Sequence, residues 1–168
     1  MFHALPGQVI LICYLGLLAW AACNDLIEFE IPDRASFGLV FLYLLFVLVS
    51  PVPIDWVWAV VVAGSIFAVS LLLFTTGRFG GGDVKLLTAT ALWAGPRLIL
   101  PMLFVMSITG GVLALIAWVV HWARSHRLAT TSGHISLTTA EYAVPTRLPY
   151  GVAIAAGAGL VGLRLVTG

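Results

Sequence analysis

The most constraining feature of this chain is where its charges are missing. No Asp, Glu, Lys or Arg precedes Asp25, and none occurs between Arg34 and Asp55, Asp55 and Arg78, Lys85 and Arg97, or Arg97 and Arg124. Several of these stretches reach the ~20 apolar residues that a helix needs to cross the ~30 Å hydrocarbon core of a bilayer. With 61% hydrophobic and 9% charged residues, the 168-residue chain lies far from the ~25% charged composition of soluble domains. Disorder requires low hydrophobicity and many charges, the opposite of what is present. The expectation is one membrane-embedded domain, 1–168: an all-α integral membrane protein, a polytopic bundle of about six transmembrane helices in a lipid bilayer.

Charges and breakers place the spans at about 6–23, 35–49, 55–74, 83–94, 98–122 and 148–166. The second ends at Ser50-Pro51-Val52-Pro53, where proline removes helix donors, and the fourth is only about a dozen residues long before Gly95-Pro96-Arg97. Segment 123–146 is expected to be the only sizeable loop. The apolar run ending at Ala19-Trp20-Ala21-Ala22-Cys23 has no basic residue before it, so it reads as a retained first helix rather than a cleaved leader. Cys13 and Cys23 form no CxxC pair and support neither a zinc site nor a disulfide scaffold; packing is their expected role. Gly151, Ala155, Gly157, Gly159 and Gly162 suit close helix approach, and Trp56, Trp58, Trp93 and Trp122 fall near span ends, as an aromatic belt does.

Six spans put both termini on one side. Odd loops carry Arg34, Arg78, Lys85, Arg124, Arg127 and Arg147, whereas the opposite side carries Arg97 and Arg164. The positive-inside rule places the odd loops in the cytoplasm and the termini in the periplasm. Asp25, Glu28, Glu30, Asp33, Asp83 and Glu141 fall on that cytoplasmic side, and Asp55 on the other. With a net charge of +1 and scattered basic residues, there is no nucleic-acid footprint.

Asp25 is expected just past span one, and Asp83 opens span four after Gly80-Gly81-Gly82. Two carboxyls at one membrane face suit an aspartic protease, because neighbouring carboxylates cannot both ionise cheaply: one keeps a proton to polarise a carbonyl while the other activates water. Plainer roles compete. Asp83 is a good N-cap at the positive end of a helix dipole, Asp25 an ordinary interfacial acid, and the glycine run a flexible turn or a passage for an extended peptide.

The segment Gly80-Gly81-Gly82-Asp83-Val84-Lys85-Leu86 resembles the GxGD motif of the type IV prepilin peptidases, polytopic aspartic proteases of the bacterial inner membrane. Asp25-Leu26 followed by Ile31-Pro32-Asp33 is similar to the family's other aspartate motif, and Leu148-Pro149-Tyr150-Gly151 to an element that opens its last helix. The resemblance implies that Asp25 and Asp83 are the catalytic pair, removing the basic leader of type IV prepilins at the cytoplasmic face without a cofactor. The longer bifunctional members carry two CxxC pairs in a cytoplasmic insertion and methylate the new N-terminus with S-adenosylmethionine. Lacking those pairs, the chain resembles the short enzymes of tight-adherence (Tad/Flp) pilus systems, which implies peptidase activity alone.

Around the pair, Gly80, Gly81, Gly82, Lys85 and Glu28 are candidates for binding substrate or shaping the site. Glu28, Glu30 and Asp33 suit a basic leader, but a solvated acidic loop is the plainer reading, and no matching ligand set makes them, with Asp25, a metal site. Lys85 is a candidate for a substrate carboxylate, for influencing Asp83 or for lipid phosphate; residues two apart on a helix do not face one another. His121, His126 and His134 have no metal-site spacing, Arg78 reads as an orientation determinant, and Pro32 and Pro149 as residues that set helix angles. A small polytopic transporter or channel and a non-catalytic pilus-assembly protein are the alternatives. The absence of charge within the spans weighs against coupled transport.

Overall fold

A computed structural model describes residues 5–50, 53–77, 79–131 and 149–167. The described residues are all-α, in five helices: α1 (Leu5–Glu28), α2 (Asp33–Val49), α3 (Trp56–Thr75), α4 (Gly81–Thr131) and α5 (Tyr150–Thr167). Four have segments long and apolar enough to cross a membrane: Gly7–Glu28, Trp56–Thr75, Gly81–Ala123 and Tyr150–Thr167. The chain is a multi-pass membrane protein.

The helix count departs from the expected six for two reasons. With 17 residues, α2 is slightly short for a spanning helix. The expected fourth and fifth spans meet within the 51-residue α4, at Gly95, whose φ of 53° and ψ of −166° are not helical. A straight helix of that length would extend about 77 Å. Instead the chain folds back. A Cβ on Gly95 would lie 3.8 Å from Ala59, near the start of α3, while one on Gly81 would lie 3.7 Å from Phe74, near its end. Past the break, Met102 and Met106 meet Gly157, and Gly110 meets Ala153, near the start of α5. Segment 81–94 therefore leads away from the end of the bundle at which α5 begins, and the chain after Gly95 returns toward it. Pro96 tolerates this position because a proline in the first turn of a helix gives up a donor that has no partner there.

This arrangement gathers the end of α1, the starts of α2, α4 and α5, and the end of α3 at one end of the bundle. Asp55, Arg97 and Arg164 lie at the other. Segment 123–131 is helical rather than loop; the rest of the expected loop, with His134 and Glu141, lies outside the described residues, as do Arg78 and Arg147.

The core holds together around Trp93, which is only 4% exposed. Its ring lies 4.4 Å from Tyr14, 5.6 Å from Tyr43 and 5.2 Å from Phe46 between centroids, and its Nε1–H donates to the Leu39 carbonyl at 2.9 Å. Trp93 thus corrects the belt expectation: the helix that carries it runs through the bundle interior, and its indole N–H finds a partner there, as buried tryptophan requires. Trp56, Trp58 and Trp122 are exposed. Tyr14 donates its hydroxyl to the Ala158 carbonyl at 2.9 Å, tying α1 to α5. Cys13 and Cys23, expected to pack, are exposed on α1. Of the small residues in α5, Gly151, Gly157 and Gly162 sit at close approaches, whereas Gly159 borders open space.

Candidate active site

Asp25 belongs to the last turn of α1, not to the loop beyond it, because the helix continues to Glu28. The helix stops where Phe29 takes a left-handed φ of 53°, while the Phe29 N–H still donates to the Asp25 carbonyl at 3.2 Å. Pro32 then occupies the N-cap of α2. Its ring disfavours helical backbone at Ile31, which keeps the α1–α2 turn short and extended.

Asp83 is the third residue of α4, with Gly80 at the N-cap. The Val84 N–H donates to the Gly80 carbonyl at 3.2 Å, and the Gly80 N–H donates to Asp83 Oδ2 at 3.0 Å. This is the reaching-back half of a capping box. Asp83 was expected at the cap position itself; it satisfies the cap from one turn inside.

Asp25 does the equivalent for α5 from another helix. Pro149, which precedes α5, has no side-chain acceptor for the first amides of that helix. Asp25 Oδ2 accepts the Gly151 N–H at 2.7 Å and also interacts with the Val152 amide. Both carboxyls therefore face helix N-termini, where unpaired N–H groups and the helix dipole favour negative charge. Asp25 is 5% exposed and Asp83 9% exposed, and Ile31 lies against both Gly82, beside Asp83, and Gly151, which donates to Asp25. An ionised carboxylate has about four acceptor sites, so these amides use only part of the capacity of each.

The glycines have packing reasons. A Cβ on Gly82 would lie 2.9 Å from Ile31 Cβ and 3.2 Å from the Ile31 carbonyl oxygen, and one on Gly80 would lie 2.9 Å from Asp83 Oδ2. A Cβ on Gly151 would lie 2.8 Å from Asp25 Oδ2 and 2.9 Å from Ile31 Cδ1. Ile31 is thus wedged between the start of α4 and the start of α5. Gly81 is less constrained, its nearest neighbour being Phe74 at 3.7 Å. Phe79 and Tyr150 close the same region, with ring centroids 5.5 Å apart.

Lys85 turns away from the aspartate pair. Its Nζ donates to both oxygens of Asp33, at 2.7 and 2.8 Å. Glu28 is exposed at the end of α1, as is Glu30 in the turn. His121 lies far along α4, and the side chain of His126 is outside the description. The sequence reading missed three links: Asp25 to Gly151, Ile31 to both glycines, and Lys85 to Asp33. Opposite charges close to both aspartate motifs were the only sequence signal for the last.

The sequence pattern of the type IV leader peptidase family matches residues 12–115. The chain belongs to this family. No curated protein and no solved structure matches it. The family match includes Asp25, the glycine run and Asp83, and it ends before Tyr150-Gly151, so the family pattern and the contact from α5 bear on Asp25 separately. Membership gives the chain a leader-peptidase-like function and protease activity, in a multi-pass membrane protein.

Proposed function

We propose that the chain is an aspartic endopeptidase that removes the leader peptide of type IV, Flp-like prepilins at the cytoplasmic face of the bacterial inner membrane, with Asp25 and Asp83 as its catalytic pair. The observation that carries this reading is the pair itself: two buried carboxyls, 58 positions apart in sequence, gathered at one end of the bundle and each held by a helix N-terminal amide. Placement of that end in the cytoplasm rests on the basic residues of the odd loops, which also puts the termini in the periplasm.

In the proposed mechanism the pair carries one proton. The protonated carboxyl donates a hydrogen bond to the scissile carbonyl, and the ionised one takes a proton from water as its oxygen adds to the carbonyl carbon. The tetrahedral intermediate collapses with cleavage of the C–N bond, and a proton passes from the pair to the leaving amine. The backbone amides fix the carboxyls before substrate arrives, so that little reorganisation accompanies the reaction. In this reading Glu28, exposed beyond Asp25, meets the basic leader. With no CxxC pair in the chain, the proposed activity is peptidase without methylation.

The test is cleavage of a full-length Flp-type prepilin by the detergent-purified protein. Asp25→Asn and Asp83→Asn should each lower kcat by about 10²–10⁴-fold, the range for a positioned acid or base, with the thermal transition retained. Wild-type-level cleavage by either folded variant refutes the pair.

A further inference from the structure

The Lys85–Asp33 ion pair joins the start of α2 to the first turns of α4, with side chains 49% and 55% exposed. An exposed pair of this kind ordinarily adds little to stability. Its position is what gives it consequence. Asp33 begins α2 directly after the turn that holds Ile31, and Lys85 lies one residue past Val84 and two past Asp83. The same turn contains Phe29 at a positive φ, a conformation that bulky residues rarely adopt and that persists only where surrounding contacts enforce it. It also contains Ile31, whose backbone meets Gly82 and whose side chain meets Gly151.

We infer that Lys85 and Asp33 form a positioning strap: the ion pair holds the strained Phe29–Pro32 turn against Gly82, and so fixes the end of α1, with Asp25, relative to the start of α4, with Asp83. Lys85 acts through Asp33 and the turn rather than on substrate. Two features make this more than a surface contact. The pair uses both oxygens of one carboxylate, at 2.7 and 2.8 Å, and it bridges the two helices that flank Ile31 and Gly82, 52 positions apart in sequence. The inference rests on the peptidase reading for its kinetic consequence, but its structural consequence can be read without turnover.

The experiment uses the full chain in detergent with two readouts. Hydrogen exchange followed by mass spectrometry should show Lys85→Met and Asp33→Asn raising exchange in segments 29–33 and 80–84 at least tenfold, with Lys85→Arg close to wild type. Exchange at wild-type rates in both breaking variants overturns the strap whether or not the protein cleaves anything. With a full-length Flp-type prepilin, both breaking variants should lower kcat about tenfold with KM within twofold. The double reversal Asp33→Lys with Lys85→Asp should recover at least fivefold over either single reversal. Raising NaCl from 50 mM to 1 M should slow the wild type but not Lys85→Met, because screening weakens an exposed pair. A raised KM with unchanged kcat, and no rescue by the reversal, makes Lys85 a substrate ligand and overturns the strap. If the wild type cleaves no prepilin while exchange responds as expected, the peptidase reading fails and the strap stands.

Discussion

Alanine at Gly151 isolates the contact that the family match does not include. Gly151 is the second residue of α5, and its N–H donates to Asp25 Oδ2 at 2.7 Å. An added Cβ would lie 2.8 Å from that same oxygen, 2.9 Å from Ile31 Cδ1 and 3.0 Å from Asp25 Cβ. The Ile31 methyl can rotate aside, but the carboxyl cannot move without leaving the amide that holds it. To reach an ordinary contact of about 3.4 Å it must retreat by about 0.6 Å, stretching the hydrogen bond beyond the 2.7–2.9 Å of charge-assisted bonds. Bonds to charged groups contribute about 1.5–3 kcal/mol, while alanine in a helix gains back about 0.8–1 kcal/mol over glycine. The net loss of stability is therefore about 0.5–2 kcal/mol. Catalysis is more sensitive, since a misplacement of about 1 Å costs on the order of 10²-fold. On that scale kcat should fall about tenfold. Gly159→Ala on the same helix is the control, because its Cβ would meet nothing within 4 Å; it should keep full activity and melt at the same temperature or slightly higher. The assay is leader removal at saturating prepilin, paired with a thermal melt in detergent. Cleavage by Gly151→Ala within twofold of wild type, with an unchanged Tm, would refute the claim that α5 positions Asp25.

Two further substitutions test the fold beneath the site. Trp93→Ala removes the ring that Tyr14, Tyr43 and Phe46 surround and should lower stability by about 3–5 kcal/mol, with activity lost only in proportion to unfolding; an unchanged thermal transition would show that the cluster is not the core. Gly95→Ala should cost about 1–3 kcal/mol through backbone strain, although its methyl would meet Ala59 at an ordinary contact distance of 3.8 Å. A melt identical to wild type would mean that the α4 reversal does not depend on glycine.

Hydropathy and charge made the class of fold legible because a bilayer leaves few alternatives: every backbone polar group in it must be paired internally, which restricts spans to helices and closed barrels. The two aspartates were legible because each sits in a compact local motif. Boundaries were less so. Asp25 was expected outside its helix, since acidic residues leave hydrophobic segments; a carboxyl that accepts an amide from another helix has no such reason to leave. Trp93 was expected at an interface because amphipathic rings concentrate there, and nothing in the neighbouring sequence marks the distant Leu39 carbonyl as its partner. Lys85 likewise carries a charge whose meaning depends on Asp33. These errors share one origin: local patterns report which surroundings a residue tolerates, whereas long-range packing decides which partner it finds.

The same consideration explains why the site is built from helix ends. A buried carboxylate costs free energy unless hydrogen-bonded, and a buried helix N-terminus costs it unless its leading amides find acceptors. Here each requirement meets the other. Gly80 and Pro149 stand at the caps of α4 and α5 and neither has a side-chain acceptor, so both helices begin with amides in need of partners. Asp83 supplies an oxygen to one from within its own first turn, and Asp25 supplies an oxygen to the other across the bundle. The absence of ordinary capping residues at both helices is then what keeps two carboxyls in a poorly solvated place. A Ser or Asp introduced at the Pro149 cap would compete with Asp25 for the Gly151 amide. The arrangement that stabilises these two helix ends is the same one that holds two carboxyls in the buried end of the bundle, where the proposed mechanism needs them.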